Sequence, residues 1–169
     1  VVDINPLSVA KITNTQGLGG ITINCLALDS SGNLWFGSNN GKLSRYNLST
    51  QAWKVYDFAD QGGQKLVLKD IWVDGNQLWV ASNLGLSLFL KDKNEGEIKE
   101  TYKRFGTLIS PLEARTIFTE ADQVWVGTSV GVALANKNDP NLLDPARLFS
   151  INRTSGKGLL NDKVNSISR

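Results

Sequence analysis

Apolar residues in this chain come in runs of about four to eight, and between the runs stand clusters of Gly, Asn, Asp and Ser. Runs of that length bounded by turn residues predict β-strands. Ile21 to Leu28 is one. Ser31-Gly32-Asn33 turns the chain into Leu34 to Gly37, Asn39-Asn40-Gly41 into Lys42 to Tyr46, and Asn47 to Gln51 into Ala52 to Phe58. The order then repeats. Leu66 to Val73, Gln77 to Ala81, Leu86 to Leu90 and Ile98 to Phe105 form a second set of four. Ala114 to Thr119, Val124 to Gly127, Val132 to Ala135 and Arg147 to Asn152 form a third. Val9 to Thr13 reads as the end of an earlier set, and Val164 to Arg169 as the start of a later one. Asp74-Gly75-Asn76 predicts a tight type I′ hairpin. No stretch carries a long 3.6-residue period, so helices are not expected.

Each set contains the same signature. Trp35, Trp79 and Trp125 each follow an apolar residue. A small residue stands two positions later, Ser or Thr three later, and Gly six later. The tryptophans are spaced by 79 − 35 = 44 and 125 − 79 = 46 residues. A period in the forties built from short strands is the signature of a propeller blade. The second strand of each set is almost wholly apolar rather than alternating, as radial packing requires when both faces of a sheet are buried.

Composition narrows the functional classes. The chain has 169 residues, 41% of them hydrophobic, with no apolar run near the roughly 18 residues of a spanning helix. Eighteen Lys and Arg against 16 Asp and Glu give no electrostatic case for nucleic acid. Cys25 is the single cysteine and lies in an apolar run, where it reads as a small buried hydrophobe. There is no histidine, so no His base, no His metal ligand and no Ser-His or Cys-His nucleophile pair. There is no methionine and the first residue is Val1, which predicts a processed or excised piece.

The order Asp-x-x-Gly-Asn-Leu-Trp-Phe-Gly-Ser, with a Gly opening the third strand, resembles the two-component regulator propeller repeat. Residues 29–45 carry it most fully, 74–88 and 122–134 less so, and Gly17-Leu18 and Gly158 to Val164 are similar to the segments between blades. The resemblance implies an all-β propeller segment: partial blade 1–16, blades 17–60, 61–105 and 106–155, and the start of a further blade at 156–169. It also implies the extracytoplasmic sensor region of a bacterial hybrid histidine kinase, periplasmic or extracellular, often reading a glycan. No Trp is followed by Asp, which separates the chain from WD-type repeats. The Leu-Trp-Phe run also resembles streptogramin lyases, whose catalytic His is lacking.

Candidate chemistry is sparse. The three repeat tryptophans are expected in the core, and Trp53, in an outer strand, is the better candidate for an exposed aromatic. Asp92-Lys93-Asn94-Glu95-Gly96 has a faint look of a calcium loop, but Lys103 stands where a bidentate Glu is needed, so a solvated hairpin loop is the reading and no metal or cofactor is expected. Asn47-Leu48-Ser49 and Asn152-Arg153-Thr154 spell glycosylation sequons, which matter only in a eukaryotic secreted protein. The informative column is Asn24, Lys69, Arg115 and Asn165, each following the first apolar residue of an innermost strand. In a propeller those strands line the axial channel. Four such donors at its mouth would hold a carbohydrate or a small anion, Arg115 being suited to bidentate binding. The alternative is that they only solvate the mouth.

The expectation is therefore a non-catalytic ligand-binding propeller region, with a protein–protein scaffold and a lyase-type enzyme with residues elsewhere as alternatives. Its partners would be that ligand and the remaining blades or a partner chain, with no nucleic acid and no membrane contact. The ends would supply a first, a third and a fourth strand but no second, so a closed ring is not expected from these residues alone.

Overall fold

A computed structural model of the chain describes residues 11–58, 66–109, 113–155 and 158–168. They form three four-stranded antiparallel sheets, each a meander with neighbours in chain order. The first holds β1 (Ile23–Leu28), β2 (Asn33–Ser38), β3 (Lys42–Asn47) and β4 (Trp53–Asp57). The second holds β5 (Leu68–Asp74), β6 (Gln77–Ser82), β7 (Gly85–Leu90) and β8 (Glu97–Tyr102). The third holds β9 (Ala114–Glu120), β10 (Gln123–Thr128), β11 (Val132–Asn136) and β12 (Phe149–Ile151). Strands β1, β5 and β9 lie side by side, so the sheets radiate from one axis as propeller blades. The helical elements among the described residues are single 3-10 turns.

The core lies between blades. Trp35 is fully buried with Leu43, Leu78, Val80 and Phe89 between the first and second, and Trp79 is fully buried with Tyr102, Val124 and Ala133 between the second and third. Each Trp sits on the forward face of its blade and is covered by the next. Trp125, expected to be buried likewise, is half-buried. Its forward face has no fourth sheet against it among the described residues.

The repeat signature has a physical reason at every position. Asp29, six before Trp35, accepts from the Trp35 Nε1–H at 2.9 Å and from the Ser31 and Asn33 backbone N–H groups at 2.9 and 3.0 Å. Asp74 accepts from Trp79 Nε1–H at 3.3 Å. A lysine from the following blade completes each pair: Lys91 reaches Asp29 at 3.3 Å and Lys137 reaches Asp74 at 2.8 Å. The small residue two after Trp leaves room for side chains of its own blade's innermost strand and of the segment beyond. A Cβ on Gly37 would run into Cys25 Sγ, and one on Gly127 would stand 2.6 Å from Thr116 Cγ2 and 2.8 Å from Val164 Cγ1. The Ser or Thr three after Trp closes the β2–β3 type of hairpin, with Ser38 Oγ donating to Lys42 O, Ser82 Oγ to Gly85 O and Thr128 Oγ1 to Gly131 O. The Gly six after Trp has φ of 75°, 124° and 143° at Gly41, Gly85 and Gly131, where a side chain is strained.

Three expectations are corrected. Of the strand predicted at Val9 to Thr13, residues 9–10 lie outside the described residues and Lys11 to Thr13 are not strand. Thr13 instead opens the 3-10 turn Asn14–Gln16 through a capping box, its N–H bonding Gln16 Oε1 at 2.8 Å. Residues 164–168 carry no strand ladder. Val164 N–H donates to Thr128 O at 2.9 Å and Ile167 N–H meets Thr116 Oγ1 at 3.4 Å, so the segment lies along the third blade, with no second strand paired to it among the described residues. In the turn after β5 only Gly75 takes a positive φ, 58°, which is the φ pattern of type II′ rather than I′.

Candidate functional site

Innermost strands carry an irregularity that recurs at one place. In β1 the pairing steps from Ile23↔Ser38 to Cys25↔Gly37, in β5 from Leu68↔Ser82 to Asp70↔Ala81, and in β9 from Ala114↔Thr128 to Thr116↔Gly127. The unmatched residues are Asn24, Lys69 and Arg115. Each is a β-bulge, which bends the strand and re-aims one side chain out of the ladder. The three belong to the column singled out in the sequence. With Asn165 and Val67 they line one recess of about 280 Å³. A second recess of about 400 Å³ continues from Lys69, Arg115 and Asn165 past Asp70, Trp72 and Thr116 to Ile167.

The residue after each bulge ties blades together. Asp70 Oδ2 accepts from Ile117 N–H at 2.8 Å, and Thr116 Oγ1 takes the same role toward Ile167. Burial pushes the Asp70 carboxyl above its ordinary value, against the backbone hydrogen bonds that hold it down. Cys25 occupies the equivalent place in the first blade. Burial, reinforced by the Asp70 charge, pushes its thiol up to about 12, which leaves it unreactive.

The two cations on the recess wall share a partner that sequence reasoning missed. Glu113 precedes β9 and its carboxylate bridges both cations, pairing with Lys69 Nζ through Oε1 and accepting from Arg115 Nη1 through Oε2 at 2.9 Å. Burial alone would raise the Glu113 carboxyl, but Lys69 and Arg115 outweigh it and hold the group below its ordinary value. Asn24 donates its Nδ2–H to Leu68 O at 2.9 Å, tying the first bulge to the second blade. The buried Arg115 Nε–H has no acceptor among the described residues.

Other sequence candidates fall elsewhere. Trp53 is half-buried rather than exposed, with its ring 4.6 Å from Tyr46 and 5.6 Å from Phe36. The Asp92 to Gly96 loop is a 3-10 turn whose Lys93 pairs with Glu97 at 3.1 Å.

Comparison with known proteins agrees with this architecture. The sequence profile described as two component regulator propeller matches residues 17–40. No curated protein sequence matches the chain. Among solved structures, the extracellular domain of the hybrid two component system BT3049 from B. thetaiotaomicron superposes with a TM-score of 0.67 at 16% identity over 91% of this chain and 21% of its own. PorZ, an essential bacterial surface component of the type-IX secretion system of Porphyromonas gingivalis, gives 0.64 at 18% identity over 83% of this chain and 18% of its own. The computationally designed Ika4 protein gives 0.62 at 10% identity, covering 88% of this chain and 79% of its own. The chain thus spans about a fifth of the two natural structures. It is an all-β propeller segment of open, consecutive blades. The match to the two-component regulator propeller repeat lies within the first of these blades, at residues 17–40.

Proposed function

We propose that this chain is a non-catalytic, ligand-binding part of a bacterial extracytoplasmic sensor propeller, and that the ligand enters at the mouth lined by Asn24, Lys69, Arg115 and Asn165. The observation that carries the reading is the bulge repeated in three innermost strands, which aims one polar side chain per blade at a common recess. A concave, polar recess suits a small polyhydroxyl or anionic ligand, whereas a scaffold contact would favour a flat apolar mouth. The extracytoplasmic location follows the BT3049 and PorZ neighbours, an extracellular domain and a surface component. A non-catalytic role fits a chain without histidine. The blade limits 17–60, 61–105 and 106–155, with partial blades at 1–16 and 156–169, belong to the same proposal.

The test is a calorimetric screen of the full-length protein against oligosaccharides and small anions. A ligand should be found, and Arg115→Ala should weaken it at least ten-fold while leaving the melting temperature within a few degrees. Unchanged affinity in Arg115→Ala would assign the column to solvation of the mouth.

A further inference from the structure

The recess holds two cations, and a carboxylate of the chain already stands between them. Glu113 offers one oxygen to Lys69 and the other to Arg115, the arrangement in which an acidic ligand would be held. The remaining donors are not spent on it. Arg115 keeps a buried Nε–H without an acceptor among the described residues, and the exposed Asn165 amide lies on the same wall. Asp70, the carboxylate that lines the adjoining recess, is turned into the blade interface by the Ile117 and Ile71 N–H groups and does not compete for the cations. The Glu113 position has no repeat counterpart: two residues before the bulge stand Thr22, Val67, Glu113 and Lys163. An acid at this place is a property of one blade, not of the fold.

We propose that Lys69 and Arg115, on the wall of this recess, form an oxyanion site whose resting partner is Glu113, and that a strong-acid oxyanion, free or carried on a sugar, binds by displacing that carboxylate from them. The proposal rests on the channel-mouth reading above and adds the ligand's charge and its built-in competitor. A tetrahedral oxyanion brings more acceptors than a carboxylate, enough for Lys69, the Arg115 fork with its free Nε–H, and an amide together. It remains charged under conditions that neutralise Glu113, so exchange is coupled to proton uptake. The charged and titratable groups facing Glu113 are Lys69 from β5 and Arg115 from β9; β1 and residues 164–168 contribute the uncharged Asn24 and Asn165 to the same recess. Glu113 is held below its ordinary carboxyl value, so the cations are freed only at a pH below the ordinary carboxyl range.

The probe is inorganic sulfate, which does not titrate in this range, added to the full-length protein and followed by calorimetry and by the Arg Nε–Hε resonances. At pH 7 Glu113→Gln should bind sulfate at least ten-fold more tightly than the unaltered protein. In the unaltered protein, sulfate affinity should rise as pH is lowered from about 5 to about 3, where a depressed carboxyl takes up its proton, with folding monitored by circular dichroism, and in Glu113→Gln the rise should be clearly smaller. Glucose 6-sulfate against glucose separates the two sources: a gain for the ester over inorganic sulfate marks a sugar-borne group, and equal affinity a free ion. Equal sulfate binding by Glu113→Gln and the unaltered protein overturns the proposal. Should that variant not fold, a pH-independent affinity in the unaltered protein overturns it as well. A screen that finds an Arg115-dependent sugar while sulfate ignores Glu113 removes this inference alone. A ligand indifferent to Arg115→Ala removes the site itself.

Discussion

Single residues carry much of the blade-to-blade contact. Asp29 is buried, and although burial alone would raise its carboxyl, hydrogen bonds from Trp35 and Asn33, with Lys91 behind them, hold it down at about 2 against an ordinary 3.8. A group whose folded value is depressed adds stability above its unfolded value and loses it as pH falls through the folded one. Asp29 should therefore contribute roughly 2 kcal/mol above pH 4, fading toward pH 2. Urea melts at several pH values should show this slope in the unaltered protein and a shallower one in Asp29→Asn. Ala121 shows the opposite economy. It opens the turn after β9 with φ of 50°, where Gly75 stands in the preceding blade at 58°. A left-handed non-glycine residue costs on the order of 1–2 kcal/mol. Ala121→Gly should raise stability by about 1 kcal/mol after the loss of backbone restriction, and a neutral or lowered midpoint would show that the turn has relaxed around alanine.

At the scale of strands and blades, the three tryptophans are chemically alike and differ in what covers them. Truncating a buried Trp to Ala costs roughly 3–5 kcal/mol. Trp35→Ala and Trp79→Ala should fall in that range, since both indoles are fully enclosed and hydrogen-bonded to an Asp. Trp125→Ala, half-exposed, should cost about half as much. Equal losses in denaturant melts would mean that Trp125 is covered in solution. Strand positions were legible in the sequence because burial on both sheet faces writes itself as apolar runs. The tryptophan register and the channel column were legible because they recur. The bulges were not, since an extra residue present in every copy leaves the copies aligned with one another. Glu113 was invisible for the opposite reason: it occurs once, in a column holding Thr22, Val67 and Lys163 elsewhere. The exposure of Trp125 depends on a neighbouring sheet, and nothing within its own repeat records that.

At the scale of the molecule, the described blades leave two sheet faces without a covering sheet, and the faces are of complementary kinds. Across the first blade, the register groups Leu26, Phe36, Ser44 and Val55, and beside them Leu28, Leu34, Tyr46 and Trp53, on the face turned away from the second blade. Leu26 and Leu28 are each 58% exposed and Val55 42%. Across the third blade, Phe118, Trp125, Leu134 and Phe149 share the forward face. Within the chain, forward faces already pack on rear faces twice: Trp35 meets Leu78, Val80 and Phe89 of the second blade, and Trp79 meets Val124 and Val126 of the third. The third forward face therefore matches the first rear face by the same geometry, whether it comes from further blades or from another copy. A head-to-tail contact of this sort is heterologous and can close into a ring or run on as an open array. Expressed as residues 1–169 alone, the chain should self-associate in sedimentation experiments, with Trp125 fluorescence shifting to the blue as concentration rises. Leu26→Glu together with Val55→Glu places charge on the rear face at positions already exposed, so it should return the species to monomer and leave the circular dichroism spectrum intact. A monomer at all concentrations with an unshifted Trp125 would show that these faces are not matched for each other, and that further blades cover them by a different packing.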